Sequence, residues 1–161
     1  MNKYLKDTEY MSIIENLLEC EEVKRLMEIT HHKHTNRLEH SLTVSYSSFK
    51  IAKRLRLNAE SVAKAGLLHD LFFTLMEDAV SNREHLVTHP EMSLLNARKL
   101  TPLTPLEEDI ILSHMFLVSF KYVPKYKESF LVSMIDKTTS IKEALFLPIK
   151  SKYTQNVRSV N

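Results

Sequence analysis

The sequence predicts an all-α protein, a compact bundle of about six to eight helices. Three observations lead there. Gly66 is the sole glycine in 161 residues, whereas tight turns and hairpins usually draw on glycine for positive φ. Apolar residues recur at helical spacing through most of the chain. Cap residues stand where those periodic stretches begin. Hydrophobic content of 43% with 26% charged residues reads as one globular domain spanning 1–161.

The elements follow in chain order. Residues 8–28 carry Ile13, Ile14, Leu17, Leu18, Val23, Leu26 and Met27, enough for one or two short helices. The polar stretch THHKHTN, 30–36, reads as a loop. A long helix runs from Arg37 to Leu55, with Thr35 or Asn36 as N-cap. Its apolar positions cover more than one face, which makes it central. Asn58 caps the next helix, which places Val62, Gly66, His69 and Phe73 on one stripe. Residues 77–88 read as a polar connection. His89-Pro90 opens a helix to about Leu100, since proline suits a first turn. TPLTPLEED holds a capping box, with Thr104 as N-cap, Pro105 at N1 and Glu107 at N3; that helix sets Leu106, Ile110 and His114 on one stripe. A loop follows, containing Pro124, and the last helix carries SFLVSMIDKTTSIKEAL. The tail, 147–161, reads as frayed.

Several classes of function are set aside by composition. A net charge of +2 with dispersed basic residues does not call for a nucleic-acid partner. Cys20 is the single cysteine, so no intramolecular disulfide is possible. The N-terminus lacks a signal-like apolar segment and no stretch approaches a membrane span. A cytoplasmic location, with no membrane partner, is the expectation.

Polar residues fall where the core should be: His40, His69, Asp70, His89, His114 and Asp136. Taken singly, a buried histidine is more often a hydrogen-bonded core residue than a ligand. Six such groups from five segments need too many buried partners, and His69, Asp70, His89, His114 and Asp136 lie within or beside apolar runs that lack Arg or Asn. One or two divalent metal ions satisfy them together. Imidazole with carboxylate suits Mn, Fe, Ni, Co or Zn.

The stretches NRLEHSLTVS, AGLLHD, HPEMSLLNARKL, DIILSHM and VSMIDK place these ligands in the order His, His-Asp, His, His, Asp, with 28, 18, 24 and 21 intervening residues. That order resembles the HD-domain superfamily of metal-dependent phosphohydrolases, over about 35–140. The dipeptide HD alone is weak; the ordered set of six is specific. The chain is similar to small bacterial single-domain members that include dinucleoside tetraphosphate hydrolases, and to a group of small HD proteins of low-GC Gram-positive bacteria. The resemblance implies a bundle of the HD-domain type. It implies that His40, His69, Asp70 and Asp136 hold one metal and that His89 and His114 complete a second site. Asp70 would bridge the two ions.

The function expected is hydrolysis of a phosphate ester or anhydride of a small molecule, a nucleotide first, by a metal-activated hydroxide. Asp70 and Lys137 are the candidate catalytic residues. Arg37, Lys125 and Lys137 are the candidate substrate-binding residues. Lys121 and Lys127 are further cations in the same region. Two alternatives stay open: a di-iron oxygenase of the HD type, which uses the same ligand set, and a non-catalytic nucleotide-binding module. His31, His32 and His34 form a second cluster, read as solvated. His85 has no assigned role, and Tyr46, Tyr122 and Tyr126 read as packing residues before base-stacking ones.

Overall fold

The computed structural model describes residues 3–31, 35–73 and 82–145, with the side chains of 3, 31 and 82–87 excepted. The described residues form an all-α bundle. A short 3₁₀ turn, Lys3–Lys6, leads into α1 (Thr8–Leu18), α2 (Glu21–Arg25) and a second 3₁₀ turn, Leu26–Glu28. The long helices are α3 (Arg37–Leu55), α4 (Ala59–Leu68), α5 (Asn82–Leu100), α6 (Pro105–Ser113) and α7 (Lys127–Leu145).

Local chemistry sets most of these boundaries. Asp7 accepts from Tyr10 N, Asn36 from Glu39 N and Asn58 from Ser61 N; each uses a side-chain oxygen to satisfy a first-turn N–H. Thr104 and Glu107 form the reciprocal capping box. Arg56 ends α3 in the left-handed region, at φ 56°, a place where helices usually use glycine.

α3 is the central element, as its apolar pattern predicts. It packs chiefly on α4 and α7, while α6 packs on α4, α5 and α7. Leu38, Leu42, Val44, Phe49, Val62, Leu67, Ile110, Ile111 and Val132 build the core between them. Gly66 lets α3 and α4 come close: a Cβ there would stand 3.0 Å from the Ser45 Cα. α1 closes one side through Tyr10, whose hydroxyl donates to Ser45 Oγ at 2.8 Å.

Four boundaries differ from the sequence reading. α4 stops at Leu68, so His69 is its C-cap and Phe73 lies in the irregular segment beyond it. Leu71 and Phe72 are buried in an irregular segment after the turn of His69 and Asp70, which periodicity does not separate from a helix. α5 begins at Asn82 and holds Pro90 within it; polar residues before a proline suit a helix as well as a loop. α6 ends at Ser113, leaving His114 as its C-cap. Within the stretch 30–36, Thr30–His31 and Thr35–Asn36 pair as a minimal antiparallel ladder. His32, His34 and the tail 147–161 lie outside the described residues, as do the side chains of His31 and His85.

Candidate metal centre

Five separate segments bring the six residues together. His40 comes from the first turns of α3, His69 and Asp70 from the turn after α4, His89 from α5, His114 from the end of α6 and Asp136 from α7. All six are buried, none more than 6% exposed. They sort into two triads whose donor atoms lie within 4.8 Å of one another: His40, His69 and Asp136 in one, Asp70, His89 and His114 in the other. The neighbours His69 and Asp70 thus serve opposite triads.

In the first triad, Asp136 Oδ1 lies 3.0 Å from His40 Nε2 and 3.7 Å from His69 Nε2. The far side of each imidazole is tied back. His40 Nδ1 lies 2.9 Å from Glu143 Oε2, and His69 Nδ1 donates to Gly66 O at 2.8 Å. His69 Nε2 is buried with no hydrogen-bond partner. Lys137 donates to Asp136 Oδ2 at 2.9 Å and to the His114 carbonyl at 2.5 Å.

In the second triad, Asp70 Oδ1 lies 3.5 Å from both His89 Nε2 and His114 Nε2. The two Nε2 atoms are 2.9 Å apart. His114 Nδ1 donates to Ile111 O at 2.7 Å, so the Nε2 of its neutral ring presents a lone pair toward His89 and Asp70. Phe72 stacks near His89, with centroids 4.9 Å apart. Its ring also meets Arg37, whose guanidinium lies 3.7 Å from the centroid and donates to Phe72 O.

The electrostatics agree with a cation site. Burial pushes the Asp70 carboxyl up, but His69, His114 and His89 outweigh it and hold Asp70 well below the usual carboxylate range. Burial acts likewise on Asp136, where His40, His69 and Lys137 win. Burial lowers the His40 pKa, yet the carboxylates of Asp136 and Glu143 outweigh it and push the imidazole up to about 10. Burial holds His114 below its ordinary value. Burial also lowers Arg37, against the pull of Asp70.

The donor set fits a metal. Bonds of about 2.1 Å set neighbouring ligand atoms roughly 3.0–3.4 Å apart, and the measured donor separations of 2.9 to 3.7 Å bracket that range. A buried ring nitrogen with no hydrogen-bond partner is costly; His69 Nε2 is one, and a metal ion would complete it. Tying back the remote ring nitrogen is how metal-binding histidines are oriented.

The other predicted residues are placed differently. Lys137 grips Asp136. Arg37 is buried, with its Nε unpartnered. Lys121 pairs with Glu91 at 2.7 Å. Lys125 and Lys127 line a groove of about 700 Å³ with Leu55, Leu57, Tyr126, Phe130 and Met134, and none of the six cluster residues lines it. Tyr46 packs against Tyr10 and Phe49, and Tyr122 bonds Glu91. Glu143 was missed by sequence reasoning. It stands two helical turns beyond Asp136, and that i, i+7 spacing on α7 was the available signal.

No curated protein and no solved structure matches the chain. The family model described as HD domain matches residues 37–141, a span that takes in all six cluster residues. With that match over more than half its length and both triads assembled in its core, the chain belongs to the HD-domain family of metal-dependent phosphohydrolases.

Proposed function

We propose that this protein hydrolyses a phosphate ester or anhydride of a small molecule, a nucleotide first, using one or two divalent ions held by His40, His69, Asp70, His89, His114 and Asp136. The observation that carries the reading is the pair of buried triads, each two imidazoles and a carboxylate, with His69 Nε2 left without a partner. When bound, ions of the Mn, Fe, Ni, Co or Zn type supply Lewis acidity and an acidified water.

The chain's own residues do the rest. Asp70 is ionised, so it accepts a hydrogen bond from the attacking water and orients it. Lys137 spends two N–H groups on Asp136 and the His114 carbonyl. Its remaining neighbour is Met115 Sδ at 3.9 Å, a weak acceptor that a phosphoryl oxygen would displace. Arg37 adds a buried cation that interacts electrostatically with Asp70, and its Nε has no hydrogen-bond partner. These two cations support a phosphorylated substrate. Lys125 has no part in this arrangement, because its groove holds none of the cluster residues.

The test is a substrate screen of protein loaded separately with Mn, Fe, Co or Ni. It covers nucleoside monophosphates, phosphodiesters and dinucleoside polyphosphates, with Asp70→Asn as the control. Phosphate or nucleotide release by the wild type alone is expected. No turnover of any of these by loaded wild type contradicts the proposal, and thermal stabilisation by a nucleotide without product would mark a binding module instead.

A further inference from the structure

Glu143 lies two residues beyond the segment that matches the family model, yet its carboxylate faces one of the candidate ligands. Its Oε2 is 2.9 Å from His40 Nδ1, and its side chain is 5% exposed. We infer that Glu143 is a positioning residue for the His40 half of the centre. By accepting the Nδ1 hydrogen, it holds the ring with Nε2 toward Asp136 and His69. The inference rests on the metal reading above.

The reason His40 needs such a partner lies in where it sits. His69 and His114 are both C-caps, and each donates Nδ1–H to the carbonyl three residues back, Gly66 O and Ile111 O. Carbonyls in a last helical turn lack an intrahelical partner and are free to accept. His40 stands in the first turns of α3 instead. The carbonyl three residues behind it, that of Arg37, is consumed by the helix ladder. With no open last-turn carbonyl behind it, its Nδ1 meets a distant acceptor instead. α7 supplies it. Asp136 meets Nε2 at 3.0 Å and Glu143 meets Nδ1 at 2.9 Å, so one helix holds the imidazole from both sides. Ser140, between them on the same face, donates to Asp136 Oδ1 at 3.4 Å.

Outer partners of this kind set ring orientation and ligand basicity, and their loss costs about 10–100-fold in metal affinity. The experiment measures zinc affinity at each half-site by chelator competition in wild type, Glu143→Leu and Glu143→Gln. Leucine cannot accept the hydrogen bond; the glutamine carbonyl can. The expected result is a loss of about 10–100-fold at one half-site in Glu143→Leu, most of it restored in Glu143→Gln, with the Asp70 half-site unchanged. Long-range ¹⁵N–¹H spectra of zinc-loaded wild type give a readout that needs no variant, and should show the His40 proton on Nδ1. Wild-type affinity in Glu143→Leu, an equal loss at both half-sites, or a His40 proton on Nε2 would each overturn the inference alone. A wild-type protein that binds no zinc overturns the functional reading, and this inference with it.

Discussion

The two triads share a ligand set and differ in how they are held. The His40 triad is secured by charge: Glu143 behind the ring, Lys137 on the far oxygen of Asp136. The Asp70 triad is secured by packing and backbone: the Ile111 carbonyl behind His114 and Phe72 stacked beside His89, with Arg37 as the nearby cation. The first depends on helices far apart in sequence, α3 and α7, meeting at one point. The second is assembled from α5, α6 and the turn after α4. The lesson is that identical ligands acquire different sensitivities from their surroundings. Changes of charge should break the first triad, and changes of shape the second.

The largest expected effect separates the two carboxylates. In metal-free protein, Asp136→Ala strands His40 and Lys137 without their shared anion and should cost about 3–5 kcal/mol. Asp70→Ala leaves histidines that can stay neutral, and should cost about 1–2 kcal/mol. Urea denaturation in chelator measures both. Equal losses would erase the contrast. With metal restored, Asp70→Ala should retain binding at the His40 triad while losing turnover.

A pH series sharpens the comparison next. The folded-state pKa of His40 is raised to about 10 from an ordinary 6.5. Its stabilising contribution to the metal-free protein is therefore full below about pH 6.5 and lost as pH rises toward 10. A His40→Leu variant should lack that component of the stability profile. Metal must displace the His40 proton, so affinity at the first triad should rise through the same window, by at most about tenfold per pH unit. His114 is held neutral by burial, so the second triad should respond less. Chelator competition across that range reads both.

The smallest expected effect concerns Gly66, which packs α4 on α3 and offers its carbonyl to His69. Gly66→Ala gains about 1 kcal/mol of helix propensity but forces a methyl against the Ser45 backbone, an overpacking cost of about 1–3 kcal/mol. The net should be a loss of about 1 kcal/mol, with weakened metal binding confined to the His40 triad. Thermal melts with and without zinc measure it.

Much of this was legible in the sequence because the signals are local. Asn36, Asn58 and the Thr104–Glu107 box announce helix starts through their own side chains, and the helices begin there. The six cluster residues stand out because ligand-type side chains recur in five core segments, with His69, Asp70, His114 and Asp136 following apolar runs. What escaped depends on tertiary contact. Glu143 sits between exposed Lys142 and Ala144 near the end of α7, and only the fold brings it to His40 from 103 residues away. The division into triads, with His69 and Asp70 in opposite groups, accompanies a helix end at Leu68 that no glycine or proline marks. The engagement of Lys137 with Asp136, and the placing of Lys125 in a groove apart from the cluster, needed the packing of α7 and the loop before it.

The most direct test of two separately supported half-sites is metal content per chain. Untagged wild type and two variants, His40→Ala and His114→Ala, would be grown with added metal and measured by elemental analysis. Two ions per chain in the wild type and one in each variant is the predicted result. No metal in the wild type, even after metal is added back, would contradict the account.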